Sequence, residues 1–348
     1  MSERARESST PGETRTETPS SRRPVLDRET ALAALELAVC APSLHNTQPW
    51  RFRIGAGSVE LFADPTRQLP ATDPDERDLL VSCGAVLHHL RVALAALGAF
   101  ATTTRLPEPD RPEHVATLDL TRHTATHADL VAAAAIPRRR SDRRAYGARP
   151  VPDDRLAELA RQAAAQGTLL RVVRSATARS VLVSAIAEAD HLQRANPSYV
   201  RELARWTGTR TGLADGVPSA AVPTPTGYGD LPVRRYSAPR LHAAEESEQD
   251  GAGTLLVLGT STDDRHARLR AGEALSAVLL AATGMGLATC PLSQPLELPE
   301  IRRVVRTGVL DDIMVPQLIV RVGAPSAHPD PFPRTKRRPV ADMLHRSS

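Results

Sequence analysis

Apolar side chains at Leu32, Leu35 and Val39 recur at helical spacing, and the run must stop at Pro42, which breaks the helical hydrogen-bond ladder. Beyond it, Trp50-Arg51-Phe52-Arg53-Ile54 alternates apolar with charged residues, the pattern of a half-buried strand. The stretch between, Ala41 to Trp50, is therefore a helix-to-strand corner. Similar runs predict strands at Val59 to Phe62, Val115 to Leu120, Leu169 to Val173, Thr254 to Leu258 and Gln317 to Val322.

The pattern also repeats. At a constant offset of 188, Gly84 pairs with Gly272, Leu87 with Leu275, Leu90 with Val278, Ala93 with Ala281 and Gly98 with Gly286, giving two amphipathic helices each closed by glycine. Two Ala/Leu-rich helices can align this way by composition alone. A second pairing, at an offset of 126, sets Pro150-Val151 on Pro24-Val25 and Asp153 on Asp27, each opening a helix that leads into a strand. An α+β fold in two fused homologous halves, an intramolecular pseudo-dimer, is the expectation. The first half is placed at 25–135 and the second at 136–340, with tails at 1–24 and 341–348.

Composition changes this picture little. With 348 residues and 41% hydrophobic content the chain can bury two ordinary cores. Met1 to Pro24 is too polar to offset its ordering entropy and is expected to be disordered. It has no apolar signal core, and Arg22-Arg23 is followed by an amphipathic segment carrying Glu36, so export is not expected. No run approaches membrane-spanning length. Cys40, Cys83 and Cys290 are odd in number and widely spaced in apolar surroundings, which fits reduced buried thiols of a cytoplasmic protein. His88 and His89 are adjacent and cannot face one ion with Cys83, so no metal site is expected. The net charge of +4 comes almost wholly from Arg, Lys336 being the lone lysine, and aromatics at 3% are too few for base-stacking platforms. Neither nucleic acid nor membrane is expected as a partner.

The corner carries the chemistry. It reads Pro42-Ser43-Leu44-His45-Asn46-Thr47-Gln48-Pro49-Trp50, gathering backbone amides, the Ser43 hydroxyl and the Asn46 and Gln48 amides in a volume suited to a planar ligand with a hydrogen-bonding rim. The segment resembles the Pro-Ser-x-x-Asn-x-Gln-Pro-Trp signature of the FMN-dependent nitroreductase superfamily, and from about Val25 to Val340 the whole plan resembles its two-domain, Acg-like branch. The resemblance implies a nitroreductase-like fold, bound FMN and NAD(P)H as a transient reductant.

It also implies site residues. Arg139, Arg140, Ser141 and Arg143 resemble the Arg-Ser-x-Arg phosphate motif, and Arg holds a phosphate dianion through bidentate, permanently charged forks. In the first half the corresponding place holds Arg15 and Glu17, while the second half reads Ala163-Ala164-Ala165-Gln166-Gly167 where the first has its corner. Each half keeps what the other lacks, leaving one complete site. Within Pro333 to Pro339, which resembles the basic segment closing over the phosphate, Lys336 and Arg338 are the expected contacts. Pro42, Ser43, Leu44, Asn46 and Gln48 are expected at the ring, with Pro291, Leu292, Ser293 and Gln294 passing the flavin N5. No polar or basic partner for flavin N1 and C2 is identified.

No catalytic side chain is required, because a flavin carries the hydride chemistry. Gly251-Ala-Gly253 precedes a strand and lacks the third glycine of a Rossmann fingerprint. The Pro- and Gly-rich segment from His191 to Asp250 contains Tyr199, Trp206, Tyr228 and Tyr236, four of the chain's ten aromatics, and is expected to be an irregular but packed lid. Two functions stand open: an oxidoreductase passing hydride from NAD(P)H through FMN to a nitro, quinone or similar acceptor, or a protein that sequesters FMN under its lid with little turnover. Fusion predicts a monomer.

Overall fold

The computed structural model describes residues 25–208, 214–222, 224, 230–236, 239–241, 250–251, 253–325 and 334–345. The expected disordered tail with Arg15 and Glu17, much of the expected lid including Tyr228, Pro333 and the last three residues lie outside the described residues.

The first helix, α1 (Arg28–Ala38), starts where the Asp27 carboxylate accepts a hydrogen bond from the Thr30 amide at 2.7 Å. After the corner come β1 (Trp50–Ile54) and β2 (Ser58–Ala63), then α2 (Arg77–Ala96), β3 (Ala99–Arg105) and β4 (His114–Arg122). These strands form one antiparallel sheet in the order β1-β2-β4-β3. Trp50 and Phe52 are fully buried beneath it while Arg53 faces solvent, as the alternation requires.

After α3 (His127–Ala135), the chain repeats the plan with α4 (Asp153–Ala164) and β5 (Leu169–Val172), inserts α5 (Ala176–Arg194) and α6 (Pro197–Trp206), and resumes with β6 (Thr254–Thr260) and α7 (Arg265–Gly284). It closes with β7 (Ala288–Leu292), α8 (Pro299–Leu310) and β8 (Val315–Gly323). The second antiparallel sheet has the order β7-β8-β6-β5. In both sheets the first and third strands of the repeat lie at the edges, and a long helix joins the second strand to the third. The fold is α+β.

Helices α2 and α7 pack on each other in the middle of the molecule. A methyl group on Gly84 would come within 2.0 Å of the Leu269 carbonyl oxygen, and one on Gly272 within 2.0 Å of the Val81 carbonyl oxygen. The two backbones thus touch at residues related by the sequence offset. Each helix ends in the same way, with Gly98 at φ 88° and Gly286 at φ 73° in the left-handed conformation that stops a helix. Beside the crossing, His88 and His89 both place Nδ1 2.7 Å from the Ser276 hydroxyl. Burial holds both rings neutral, pushing His88 down to about 3 and His89 well below the usual histidine range.

Several expectations change. By length and composition α2 could cross a membrane, but it is a core helix, mostly buried against α7 and the first sheet. Asp153 is the first helical residue of α4, with Pro152 at the cap, so it does not cap as Asp27 does. Strands β3 and β7 escaped the periodicity, β3 because of its Thr and Ala content and β7 because it contains Pro291, tolerated on an edge strand. His191 to Trp206 is helical rather than irregular. Pro197 sits at the first position of α6, where its missing N–H costs nothing, and the Asn196 side chain caps that helix at 3.0 Å. Tyr199, Leu203 and Trp206 then face the core at helical spacing. Cys40 is only half-buried, unlike Cys83 and Cys290.

The Gly84 contact predicts that Gly84→Ala, whose methyl meets only backbone atoms of α7, destabilises the fold by on the order of 3 kcal/mol or more in urea denaturation. Gly57→Ala, which meets nothing within 4 Å, should change stability by no more than about 0.5 kcal/mol.

Candidate functional site

At the corner, Leu44–Asn46 form one turn of 3-10 helix, and His45, Asn46 and Gln48 have φ of 46°, 56° and 52°. Such conformations cost non-glycine residues about 1–3 kcal/mol each and persist only where the surroundings hold them. Here Gln48 is the brace. Its buried amide nitrogen donates to the Ala214 carbonyl at 2.8 Å and its amide oxygen accepts from the Arg338 backbone N–H at 2.9 Å. The Ser43 hydroxyl accepts from the Gln48 N–H at 3.0 Å, and the Leu44 N–H donates to Ser82 on α2 at 3.2 Å. Asn46 Nδ2 donates to the carbonyls of Gly216 and Lys336, at 3.1 and 3.2 Å. The corner therefore binds the lid segment and the C-terminal segment to α2.

Two adjoining lobes open beside it. The first, of about 630 Å³, is lined by Cys40, Pro42, Ser43 and Asn46 from the corner, by Arg139, Arg140, Ser141 and Arg143, and by Arg334, Thr335 and Arg337. Among the described residues no carboxylate lines it. The arginines reach this place by capping backbone. Arg337 donates to the carbonyls of Val39, Cys40 and Ala41, at 3.0, 3.1 and 3.3 Å, and Arg139 donates to that of Cys40 at 3.4 Å, both at the negative end of α1. Burial and mutual repulsion still weaken their hold on protons. Arg139 is pushed down to about 9 and Arg337 to about 10, each chiefly by burial. Arg139 Nε and Asn46 Oδ1 are buried without a hydrogen-bond partner among the described residues.

The second lobe, of about 820 Å³, shares Pro42, Ser43, Ser141 and Arg143 with the first. Its floor is Val81, Asp78 and Ser82 of α2 with Leu275 of α7, and its walls are Leu44, His45 and Pro291 to Pro295, with Ile186 of α5 and Leu318 of β8. Arg234 and Tyr236 come from the lid. Arg234 is nearly buried and forms an ion pair with Glu297, while donating to His45 Nε2 at 3.1 Å and the Tyr199 hydroxyl at 3.0 Å. Ser293 donates to the same Glu297 carboxylate at 2.7 Å. Burial opposes the Arg234 charge, and Glu297 overrides it, leaving the guanidinium firmly protonated. His45 is pushed well below the usual histidine range by burial and by Arg234, so its ring accepts that hydrogen bond as neutral imidazole. Burial also lifts the Asp78 carboxyl to about 7, against the pull of Arg77 at 2.6 Å. Arg143 lies between the lobes with its guanidinium 5.5 Å from the Tyr236 ring centre.

Of the residues singled out in the sequence, Pro42, Ser43, Leu44, Asn46, Arg139, Arg140, Ser141, Arg143, Pro291, Leu292, Ser293 and Gln294 line this one cleft. Gln48, Lys336 and Arg338 do not. Gln48 is used up as the brace, and Lys336 contributes its backbone carbonyl to Asn46. The Arg338 guanidinium donates to the Asp342 carbonyl at 3.2 Å. In the C-terminal segment it is Arg334, Thr335 and Arg337 that face the first lobe, a register the alternation of basic residues could not settle. Arg234, Asp78 and Glu297 were missed, whereas Tyr236 is one of the aromatics named for the expected packed lid. Arg234 comes from the segment read as irregular, and the acids gave no signal because each resembles an ordinary helix-end charge until burial is known.

A family model described as "Nitroreductase family" matches residues 136–324. A Mycobacterium tuberculosis protein that carries the provisional name NAD(P)H nitroreductase is 46% identical over 319 residues, 91% of this chain and 92% of the relative. Another from the same organism, named Acg with the same provisional activity, is 38% identical over 321 residues, 90% of this chain and 94% of that one. Among solved structures, the FMN-dependent nitroreductase NfnB from Mycobacterium smegmatis in complex with NADPH aligns with a TM-score of 0.39 at 16% identity, covering 64% of this chain and all of that one.

The Arg234–Glu297 pair fastens the lid to the start of α8, and removing one charge of a buried pair costs about 3–5 kcal/mol. Glu297→Gln is expected to leave the two sheets folded while limited proteolysis cuts within 214–241 several-fold faster than in the unsubstituted chain.

Proposed function

The chain belongs to the nitroreductase family, and from that premise we propose that it is an FMN-dependent oxidoreductase taking hydride from NAD(P)H and delivering it to a nitro, quinone or similar small acceptor. The observation that carries the reading is the single two-lobed cleft in which Ser43 and Arg143 meet. A lobe lined by arginines and, among the described residues, by no carboxylate suits a phosphate dianion, and Asn46 Oδ1 and Arg139 Nε, without a partner among those residues, are buried polar atoms suited to a polar ligand. The adjoining lobe, with apolar Val81, Leu275 and Leu318 and a rim of hydroxyl and carboxyl groups, suits a flat ring.

In this reading Arg139, Arg140, Ser141 and Arg143 hold the phosphate and ribityl chain, joined by Arg334 rather than Lys336. Pro42 to Asn46 and Pro291 to Gln294 hold the ring. FMN would supply the reversible hydride transfer. The chain's part is to orient and to exclude water. Arg234 is the cation nearest to supplying the missing partner for the pyrimidine edge, and Asp78, lifted toward neutrality, can hold or release a proton at the lobe's floor.

The reading includes two fused homologous halves, at 25–135 and 136–340, and a monomer. The identical strand orders, the Gly84–Gly272 contact and the meeting of His88 with Ser276 across the same offset of 188 support it. One flavin per chain fits the other half's counterpart of the corner. There Gln166 accepts from Arg91 at 3.2 Å, Glu273 pairs with Arg91 and Arg105, and Arg270 lies so close to Gly167 that a methyl there would meet it at 2.2 Å. Side chains packed at that counterpart support the reading of one ligand per chain.

A second reading, FMN holding with little turnover, is favoured by one observation: Arg234 and Tyr236 of the expected lid line the ring lobe, and Arg234 is paired there with Glu297. The purified protein is expected to be yellow, and anaerobic NADPH should bleach it within seconds if it is an oxidoreductase. A flavin that stays oxidised under NADH and NADPH gives the second reading. Charge-assisted hydrogen bonds of about 1.5–3 kcal/mol predict that Arg143→Ala weakens FMN binding by about 10- to 150-fold. Arg161→Ala, on the exposed face of α4 and paired to Glu158, should leave it unchanged in an equilibrium fluorescence titration.

A further inference from the structure

Cys40 is the half-buried cysteine of the three, and its place in the arginine lobe is not needed by the flavin reading. Its sulfur sits 3.6 Å from the Glu36 carbonyl, to which it donates, and accepts from Arg334 Nη2 at 3.7 Å. Arg139 and Arg337 are held against the Cys40 carbonyl, so the cations keep a fixed position relative to the thiol. The independent sign of a ligand here is Arg139. Only 5% of it is exposed, it lines the lobe, and its Nε has no partner among the described residues. Five guanidiniums without a described carboxylate among them raise the local concentration of anions.

We propose that Cys40 is a thiol-exchange site for small anionic disulfides, the arginine lobe drawing the reagent in and the resulting mixed disulfide leaving an anion where a phosphate would otherwise lie. The Cys40 thiol gives its proton to solvent, and its sulfur attacks one sulfur of the disulfide. A new S–S bond forms to that half, the original S–S bond breaks, and the other half leaves as a thiolate, so no further oxidant is consumed. Modification and phosphate binding exclude each other, which makes loading of the site responsive to the thiol–disulfide balance. Cys83 and Cys290 are 0% and 3% exposed and stay unreactive in the folded chain.

The test uses the full chain with two probes, the dithiobis-nitrobenzoate dianion and neutral dipyridyl disulfide, each rate being divided by its rate with free cysteine. One thiol per chain should react, located at Cys40 by mass spectrometry of the unsubstituted protein and lost in Cys40→Ser. The anionic probe should be favoured about tenfold or more, with the preference falling as salt or inorganic phosphate is added and largely lost in Arg334→Ala. Equal normalised rates for the two probes, indifference to phosphate, or labelling of Cys83 or Cys290 instead would overturn the proposal. FMN enters as a separate arm that rests on the proposed function. Protection by phosphate but not by FMN would uphold the exchange site and count against the flavin reading, whereas bound yellow FMN without protection of Cys40 would sink the exchange site alone.

Discussion

Backbone contact between α2 and α7 is the constraint on which the rest depends. With glycine on both sides, the helices approach until each carbonyl lies where the other's methyl would be. That approach sets Asp78, Val81 and Ser82 of α2 and Leu275 of α7 in the wall of a single lobe, beside the corner and the Arg139–Arg143 segment. A wider crossing would separate these walls. The cleft thus depends on the contact between α2 and α7.

Among the described residues, the cationic lobe gathers several arginines without a matching acid in its lining. Arg337 and Arg139 donate to carbonyls at the C-terminal end of α1, where the helix dipole is negative, so part of their hydrogen bonding is met while their charge, and among the described residues Arg139 Nε, is not. Arg139 and Arg337 lose proton affinity through burial as a result. A bound anion would relieve this repulsion, which is the physical link between the geometry of the lobe and a phosphate-bearing ligand.

The segment at Arg234 shows the opposite arrangement. Arg234 is matched by Glu297 and surrounded by His45, Tyr199 and Ser293, so its charge is compensated and its position set. Asn46 and Gln48 add backbone contacts to Gly216 and Ala214. Residues read as ligand contacts in the corner motif therefore divide their work, some facing the cleft and some binding the backbone at Ala214, Gly216, Lys336 and Arg338. Strained φ values at His45, Asn46 and Gln48 are held in place by those fastenings.

Local sequence was enough wherever a property depends on neighbours along the chain. The stop at Pro42, the alternation of β1, the glycine-terminated helices, the offset that pairs Gly84 with Gly272 and the arginine cluster at 139–143 were all legible, because helix ends, strand faces and charge runs are written in consecutive residues. What the fold alone decided were quantities that depend on burial and on partners far away in sequence. Whether Lys336 or Arg337 faces the lobe turns on a register set by Gln48, and Gln48 itself becomes a brace because Ala214 and the Arg338 N–H reach it from distant segments. Arg234 and Glu297 become a latch only because both are taken out of water together. Charge, hydrogen bonding and strain at a buried site are pairwise terms between elements, and no window of sequence contains both members of the pair.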